Sequence, residues 1–174
     1  IAFLLMFWVP YFIIKLTFKK KLRDFGFQLG DARYGFRFIM IMLPYILWMA
    51  YVASSTVSMQ AEYPIAKSTM QSWPLFVTVE IFLLIYYLGW EFLFRGFMLF
   101  GLEKKYGAIA AILIQTIPSS IVHIGKPAYE SFGAILAGLV FGFLAIRTRS
   151  ILYPFLIHAI LGIAMDTFIT LRFL

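Results

Sequence analysis

The chain has 174 residues, of which 63% are hydrophobic and 13% charged, with a net charge of +7. A soluble domain carries charge on roughly a quarter of its residues, so this composition excludes a soluble globular domain and indicates a membrane protein. The absence of cysteine excludes disulfides, thiol nucleophiles and thiolate metal sites. The basic residues lie between apolar runs, which is typical of membrane orientation signals, and we expect no nucleic-acid partner.

Apolar runs of about the length of a membrane-crossing helix follow one another along the whole chain. A span needs about 20 residues, so the sequence predicts an all-α polytopic transmembrane bundle of about six spans in one membrane domain, residues 1–174. Because the chain starts at Ile1 inside an apolar run and without Met, we expect a truncated N-terminus. In chain order the predicted spans are about 1–14, 36–53, 75–101, 106–124, 131–146 and 151–171.

Lys and Arg concentrate in alternate connections between these spans. Residues 15–37, 104–105 and 147–149 carry most of the positive charge, and the positive-inside rule therefore predicts that these three basic loops are cytoplasmic. The loops between the predicted spans are short, which suits a protein of the bacterial inner membrane. The expected surroundings are membrane lipids, and a partner within a membrane-protein complex is a further expectation.

The third predicted span contains an acid and a base four residues apart, Glu91 and Arg95. This spacing puts both side chains on one helical face, and Glu80, about three turns earlier, shares that face. Ionisable residues inside a membrane usually face the protein interior and mark function. The alternative interpretation is an ion pair that only joins helices.

The later spans add the two histidines of the chain, His123 and His158, and the acid Asp166. A glutamate and two histidines from three helices could activate a water molecule and stabilise an oxyanion, which amide hydrolysis requires. Glu91 and the histidines are also acceptable zinc ligands, but the sequence has no His-Glu-x-x-His element. We therefore expect a reaction with no metal and no cofactor. Asp166 lies about two turns after His158 and is expected to flank it.

Three short motifs occur in a fixed order: Trp90-Glu91-Phe92-Leu93-Phe94-Arg95-Gly96, then Ser119 to His123, then Ser150 to His158. Together they resemble the three motifs of the CAAX prenyl protease and bacteriocin-processing family, also called Abi proteins, over about residues 75–170. The resemblance implies an all-helical intramembrane glutamic endopeptidase.

This sequence departs from the family's motifs at three positions. Trp90 stands where the family has its first glutamate, the catalytic base. Ser119 replaces the usual Phe of the second motif, and Gly162 replaces Asn or Asp in the third. The residues that carry over directly are Arg95, His123 and His158.

The sequence therefore favours a metal-free intramembrane peptidase that cleaves a peptide or membrane-protein substrate. Glu91 would be the general base, Arg95 would orient it, and His123 would share the attacking water. His158 would stabilise the oxyanion, with Asp166 and Glu80 in support. The alternative, indicated by Trp90 and Gly162, is an inactive relative that acts as a membrane scaffold or an immunity-type binding protein.

Overall fold

A computed structural model describes residues 3–173, including all side chains in this range except that of Gln71. Every regular element within this range is helical, which confirms the predicted all-α fold. The longer helices are α1 (Leu4–Thr17), α2 (Ala32–Ala53), α3 (Val57–Glu62), α4 (Trp73–Glu91), α5 (Leu99–Ile121), α6 (Ala128–Thr148) and α7 (Leu152–Phe173). Within α1, Leu4–Trp8 and Ile13–Thr17 are π-helical. A further π-helical segment, Phe92–Met98, joins α4 to α5, and short 3-10 turns cover Leu22–Phe25 and Lys67–Gln71.

Four helical stretches are long and apolar enough to cross a membrane. They are Ala32–Ala53, Trp73–Ile121, Ala128–Thr148 and Leu152–Phe173, while Leu4–Thr17 is a shorter apolar helix. The 49-residue stretch Trp73–Ile121 contains the third predicted span and all but the last three residues of the fourth. The predicted polytopic helical bundle is thus confirmed, and the helices begin and end within a few residues of the predicted positions.

The predicted loop at Lys104 and Lys105 is wrong, because both residues lie inside α5. The helical path breaks instead at Gly107, whose φ of 80° and ψ of 166° are non-helical. Glycine adopts positive φ without the steric cost that a Cβ imposes, whereas Leu, Glu and Lys are good helix formers. The charge pattern located the connection between the spans, but the glycine sets the position of the break.

The other two predicted basic loops are also shorter than expected. Helix α2 begins at Ala32, where the Asp31 carboxylate accepts a hydrogen bond from the Tyr34 amide at 3.0 Å. Arg147 donates to the same carboxylate at 2.9 Å, and together with the amide it lowers the pKa of Asp31. Helix α6 continues to Thr148, so these charged residues extend helices at the end of the bundle.

A segment that follows α1, residues 26–31, runs along the turn between α6 and α7. The Ile151 amide donates to the Gly26 carbonyl at 2.9 Å, and the Asp31 amide donates to the Thr148 carbonyl at 2.9 Å. The Tyr153 hydroxyl donates to the Leu29 carbonyl at 2.6 Å. We call residues 26–31 the strap, since they tie the α6–α7 turn to the N-terminal part of the chain.

Small residues let α5 and α6 approach closely. The carbonyl of Gly138 accepts a hydrogen bond of 2.8 Å from Gln115, a fully buried side chain on α5. A Cβ at Gly138 would overlap the Thr116 side chain, and one at Gly142 would lie 3.0 Å from the Gln115 amide nitrogen. The spacing of these glycines therefore fits close helix packing, as it does in other membrane bundles.

Gly35→Ala is expected to lower the free energy of unfolding by about 1–3 kcal/mol, the usual cost of overpacking a core. A Cβ at this position on α2 would overlap the ring of Tyr153, which is fully buried and held by its bond to the strap. Gly133→Ala is the matched control, because a Cβ there meets nothing within 4 Å. Thermal unfolding in detergent should show a lower midpoint for the first variant and no loss for the second; equal midpoints would contradict the packing described here.

Candidate functional site

The contact between α4 and α7 contains a buried carboxylate with two basic partners. Glu91 is fully buried, and its Oε1 lies 2.7 Å from Nδ1 of His158. Arg95 Nη1 is 3.4 Å from the same oxygen, and Arg95 Nε is 3.4 Å from Oε2. The four-residue spacing that predicted contact between Glu91 and Arg95 is therefore matched by the geometry, and His158 joins them from another helix.

The backbone changes its winding immediately after Glu91. Residues Phe92–Met98 form a π-helical segment, a rare wide turn that occurs frequently at functional sites. Gly96 lies within it, where a Cβ would be 2.9 Å from the Phe92 ring and 3.0 Å from the Phe25 carbonyl oxygen. The glycine thus permits the chain that follows α1 to approach this turn closely, beside Arg95.

Aromatic rings fix the orientation of His158. The Tyr87 ring stacks on the imidazole with 4.4 Å between centroids and 29° between planes, and the Phe141 ring centroid is 6.1 Å away. A Cβ at Gly162, one turn after His158, would overlap the Tyr87 hydroxyl. The space beside Gly162 is therefore occupied by the Tyr87 phenol.

The second histidine lies just beyond the end of α5 and is half-buried. His123 Nδ1 is 2.8 Å from the Ser119 carbonyl oxygen, and a carbonyl only accepts hydrogen bonds, so the proton of the neutral imidazole is on Nδ1. Its Nε2 lies 3.9 Å from Oε1 of Glu130, in the first turn of α6. This nitrogen keeps its lone pair and faces a carboxylate.

Trp90 lies between the two histidines. Its ring centroid is 5.4 Å from that of His123 and 6.4 Å from that of His158, with interplanar angles of 82° and 86°. The indole is buried, with 6% of its surface exposed. Glu91 therefore contacts His158 directly, whereas His123 packs against the indole of Trp90.

Glu80 and Asp166 form a second buried acidic pair on α4 and α7. Their carboxyl groups lie close to each other between the two helices. The two side chains are 6% and 3% exposed. Glu80 is roughly 16 Å along the helix from Glu91, so the pair joins the same two helices at a different level.

In the part of the chain that the structure describes, no group of three or more His, Asp or Glu side chains is arranged to hold a metal ion. The glutamate and histidine side chains instead form two separate pairs, Glu91 with His158 and Glu130 with His123. Each pair places a carboxylate beside an imidazole, and a proton can be transferred at either pair.

Residues 71–164 match the family described as type II CAAX prenyl endopeptidase Rce1-like. The match covers more than half of the chain. The chain belongs to this Rce1-like family. No curated protein and no solved structure matches it. The membership confirms the resemblance that the three ordered motifs indicated, and with the apolar helices it makes the protein an integral membrane protein.

The Rce1-like match includes Glu91, Arg95, His123 and His158, and it ends before Asp166. All four residues are therefore in the family region, and the structure brings three of them into direct contact while His123 is offset by Trp90. The sequence predicts supporting roles for Glu80 and Asp166. Within the described residues 3–173, neither side chain forms a hydrogen bond or an ion pair with His123 or His158.

Sequence reasoning missed Tyr87 and Glu130. Tyr87 precedes Glu91 by four residues on α4, so helical spacing could have placed it at the site. Glu130 falls between the predicted spans 106–124 and 131–146, and only the chain reversal at residues 122–127 turns it back to His123. An acid in the first turn of the helix that follows a histidine was the one available signal.

Proposed function

We propose that this Rce1-like protein is a metal-free intramembrane peptidase in which Glu91, His123 and His158 hydrolyse a peptide bond. The observation that carries the proposal is the 2.7 Å contact between the fully buried Glu91 carboxylate and His158 Nδ1. In this proposal His158 carries a proton on each ring nitrogen, with Nδ1–H donating to Glu91 and Nε2–H directed at a developing oxyanion.

The proton route differs from the one that the sequence favours. Glu91 is fully buried and its two oxygens face Arg95 and His158, so we propose that it acts through His158. His123 has a fixed Nδ1–H and a free Nε2 lone pair, which makes Nε2 the acceptor of the water proton. The water oxygen bonds to the scissile carbonyl carbon while its O–H bond breaks toward His123.

The tetrahedral intermediate collapses by breaking its C–N bond. The carbonyl oxygen, which holds the negative charge, is stabilised by the Nε2–H of His158, and the leaving amine takes the proton from His123. Water and an amide thereby give a carboxylic acid and an amine, and both histidines return to their starting states. Arg95 balances the charge of Glu91 throughout.

The family description supports a prenylated peptide as the substrate class. A prenyl chain partitions into the bilayer and would deliver the attached peptide to a site between membrane helices. Within this proposal, the bacterial inner membrane is the location, and the basic segments 15–37, 104–105 and 147–149 face the cytoplasm. The protein is surrounded by lipids and has a partner within a membrane-protein complex.

A second function, binding without catalysis, is favoured by one observation. The Trp90 indole lies between the two imidazoles and carries no ionisable group, at the position where the family has an acid. A protein that captures a prenylated peptide without cleaving it, as a scaffold or immunity-type protein, would keep the family's helices and tolerate this ring.

The test is cleavage of a fluorescent prenylated peptide by the purified protein in liposomes. We expect His123→Gln, His158→Gln and Glu91→Gln each to lower kcat by about 10²–10⁴-fold, the usual contribution of general acid–base groups. Glu103→Gln is the matched control, because Glu103 pairs with Arg149 far from the histidines. Saturable binding of the peptide by a wild-type protein that releases no product would favour the second function.

A further inference from the structure

Glu130 and His123 face each other at a separation that is too long for a direct hydrogen bond. The 3.9 Å between Glu130 Oε1 and His123 Nε2 exceeds the 2.7–2.9 Å typical of a charge-assisted contact. Both side chains remain partly accessible, with 16% and 20% of their surfaces exposed. A polar contact beyond 3.5 Å of this kind suits a bridging water molecule.

The protonation of His123 makes both facing atoms hydrogen-bond acceptors. Its Nδ1–H is directed at the Ser119 carbonyl, so Nε2 presents a lone pair, and a carboxylate oxygen presents lone pairs only. Two acceptors at this separation repel each other unless a donor lies between them. A water molecule has two O–H groups and can donate one to each.

The neighbouring charged groups leave Glu130 available for this role. Lys126 is paired with Glu62 and lies over the Tyr63 ring, while His158 is paired with Glu91. Glu130 Oε2 is buried and accepts no hydrogen bond from the residues that the structure describes. The phenol of Tyr63 lies beside the same carboxylate; burial raises the pKa of Tyr63, so the phenol stays protonated and is a neutral hydrogen-bond donor toward Glu130.

We propose that Glu130 is a further catalytic residue that, with His123, holds the water molecule that attacks the peptide bond. The carboxylate accepts one O–H of the water and orients its oxygen lone pair, while His123 Nε2 accepts the proton that is transferred. Glu130 thereby supplies, from α6, a carboxylate on the side of the site where Trp90 supplies none. The inference rests on the proposed peptidase function.

The experiment compares Glu130→Gln, Glu130→Asp and the control Glu103→Gln in the liposome cleavage assay with a prenylated peptide. The control removes a carboxylate that pairs with Arg149 and leaves the Glu62–Lys126 pair intact. We expect Glu130→Gln to lower kcat by at least about 100-fold with KM nearly unchanged. Glu130→Asp should recover part of the rate, and Glu103→Gln should keep it.

Nitrogen NMR of ¹⁵N-histidine-labelled protein gives a readout that is independent of cleavage. Only two histidines are present, so His158→Gln assigns both sets of signals. We expect a neutral His123 with its proton on Nδ1 at neutral pH, and unchanged thermal unfolding of Glu130→Gln.

The outcomes separate the two proposals. A doubly protonated His123 at neutral pH, or full activity of Glu130→Gln beside an active wild type, would overturn the role of Glu130 alone. A wild-type protein that does not cleave would remove the peptidase function and this role together.

Discussion

Arg95→Met is expected to lower the free energy of unfolding by about 3–5 kcal/mol, the usual cost of removing one partner of a buried ion pair. Arg95 is 2% exposed and Glu91 fully buried, so the variant leaves a carboxylate inside the bundle without its guanidinium. The aliphatic part of the side chain is largely kept by Met, and the loss therefore reports charge more than packing. Unfolding in mixed detergent–SDS micelles measures the difference.

Arg147→Met is the control for this prediction. Arg147 pairs with Asp31 at 2.9 Å, but 47% and 41% of the two side chains are exposed, and such surface pairs contribute about 0–1 kcal/mol. The double variant Glu91→Gln/Arg95→Met should recover part of the loss, because it removes the buried carboxylate together with its guanidinium. Equal destabilisation by the two single Arg variants would show that Arg95 does not compensate Glu91.

Trp90→Ala is expected to cost a similar amount, about 3–5 kcal/mol, because it deletes a large side chain from a packed core. The indole is 6% exposed and packs against Phe94 at 4.8 Å between centroids and against Tyr86 at 6.0 Å. Its loss should also change the NMR environment of both histidines, since each faces the ring.

Trp48→Ala is the matched control for Trp90→Ala. Trp48 lies on α2 with 58% of its surface exposed, so its removal leaves no internal cavity. Thermal unfolding in detergent should separate the two variants clearly. If both lower the midpoint equally, Trp90 is not part of the core between the two histidines.

The helices could be predicted well because length and hydropathy dominate in a membrane protein. Each predicted span has a helical counterpart, and only the ends moved, as at Ala32 and Thr148. These ends depend on local chemistry that a charge count does not contain. The Asp31 carboxylate starts α2, and Gly107 rather than the two lysines before it breaks α5.

The site could be predicted only in part, for a geometric reason. Helical spacing predicts neighbours on one helix, and it correctly joined Glu91 to Arg95. It does not predict which residues of different helices meet. His158 reaches Glu91 through the packing of α4 on α7, and Glu130 reaches His123 through a chain reversal. Chain positions alone give no distance for either contact.

Trp90 shows how a departure from a motif can be understood only from the fold. In the sequence it is a missing acid, which suggests loss of function. In the structure its ring contacts both imidazoles, and the carboxylates that face them come from Glu91 and from Glu130 on α6. Each imidazole therefore faces one carboxylate, and these two carboxylates come from different helices.

The strap has a consequence for how the protein is made. Its partners in the α6–α7 turn follow it by 117 residues, from Asp31 to Thr148, up to 125 residues, from Gly26 to Ile151. At about 5–20 residues per second, a ribosome needs roughly 6–25 seconds to reach them. The hydrogen bonds between the strap and this turn therefore form late in synthesis, after the six helices that precede the turn, and they join the segment after the first helix to the segment before the last.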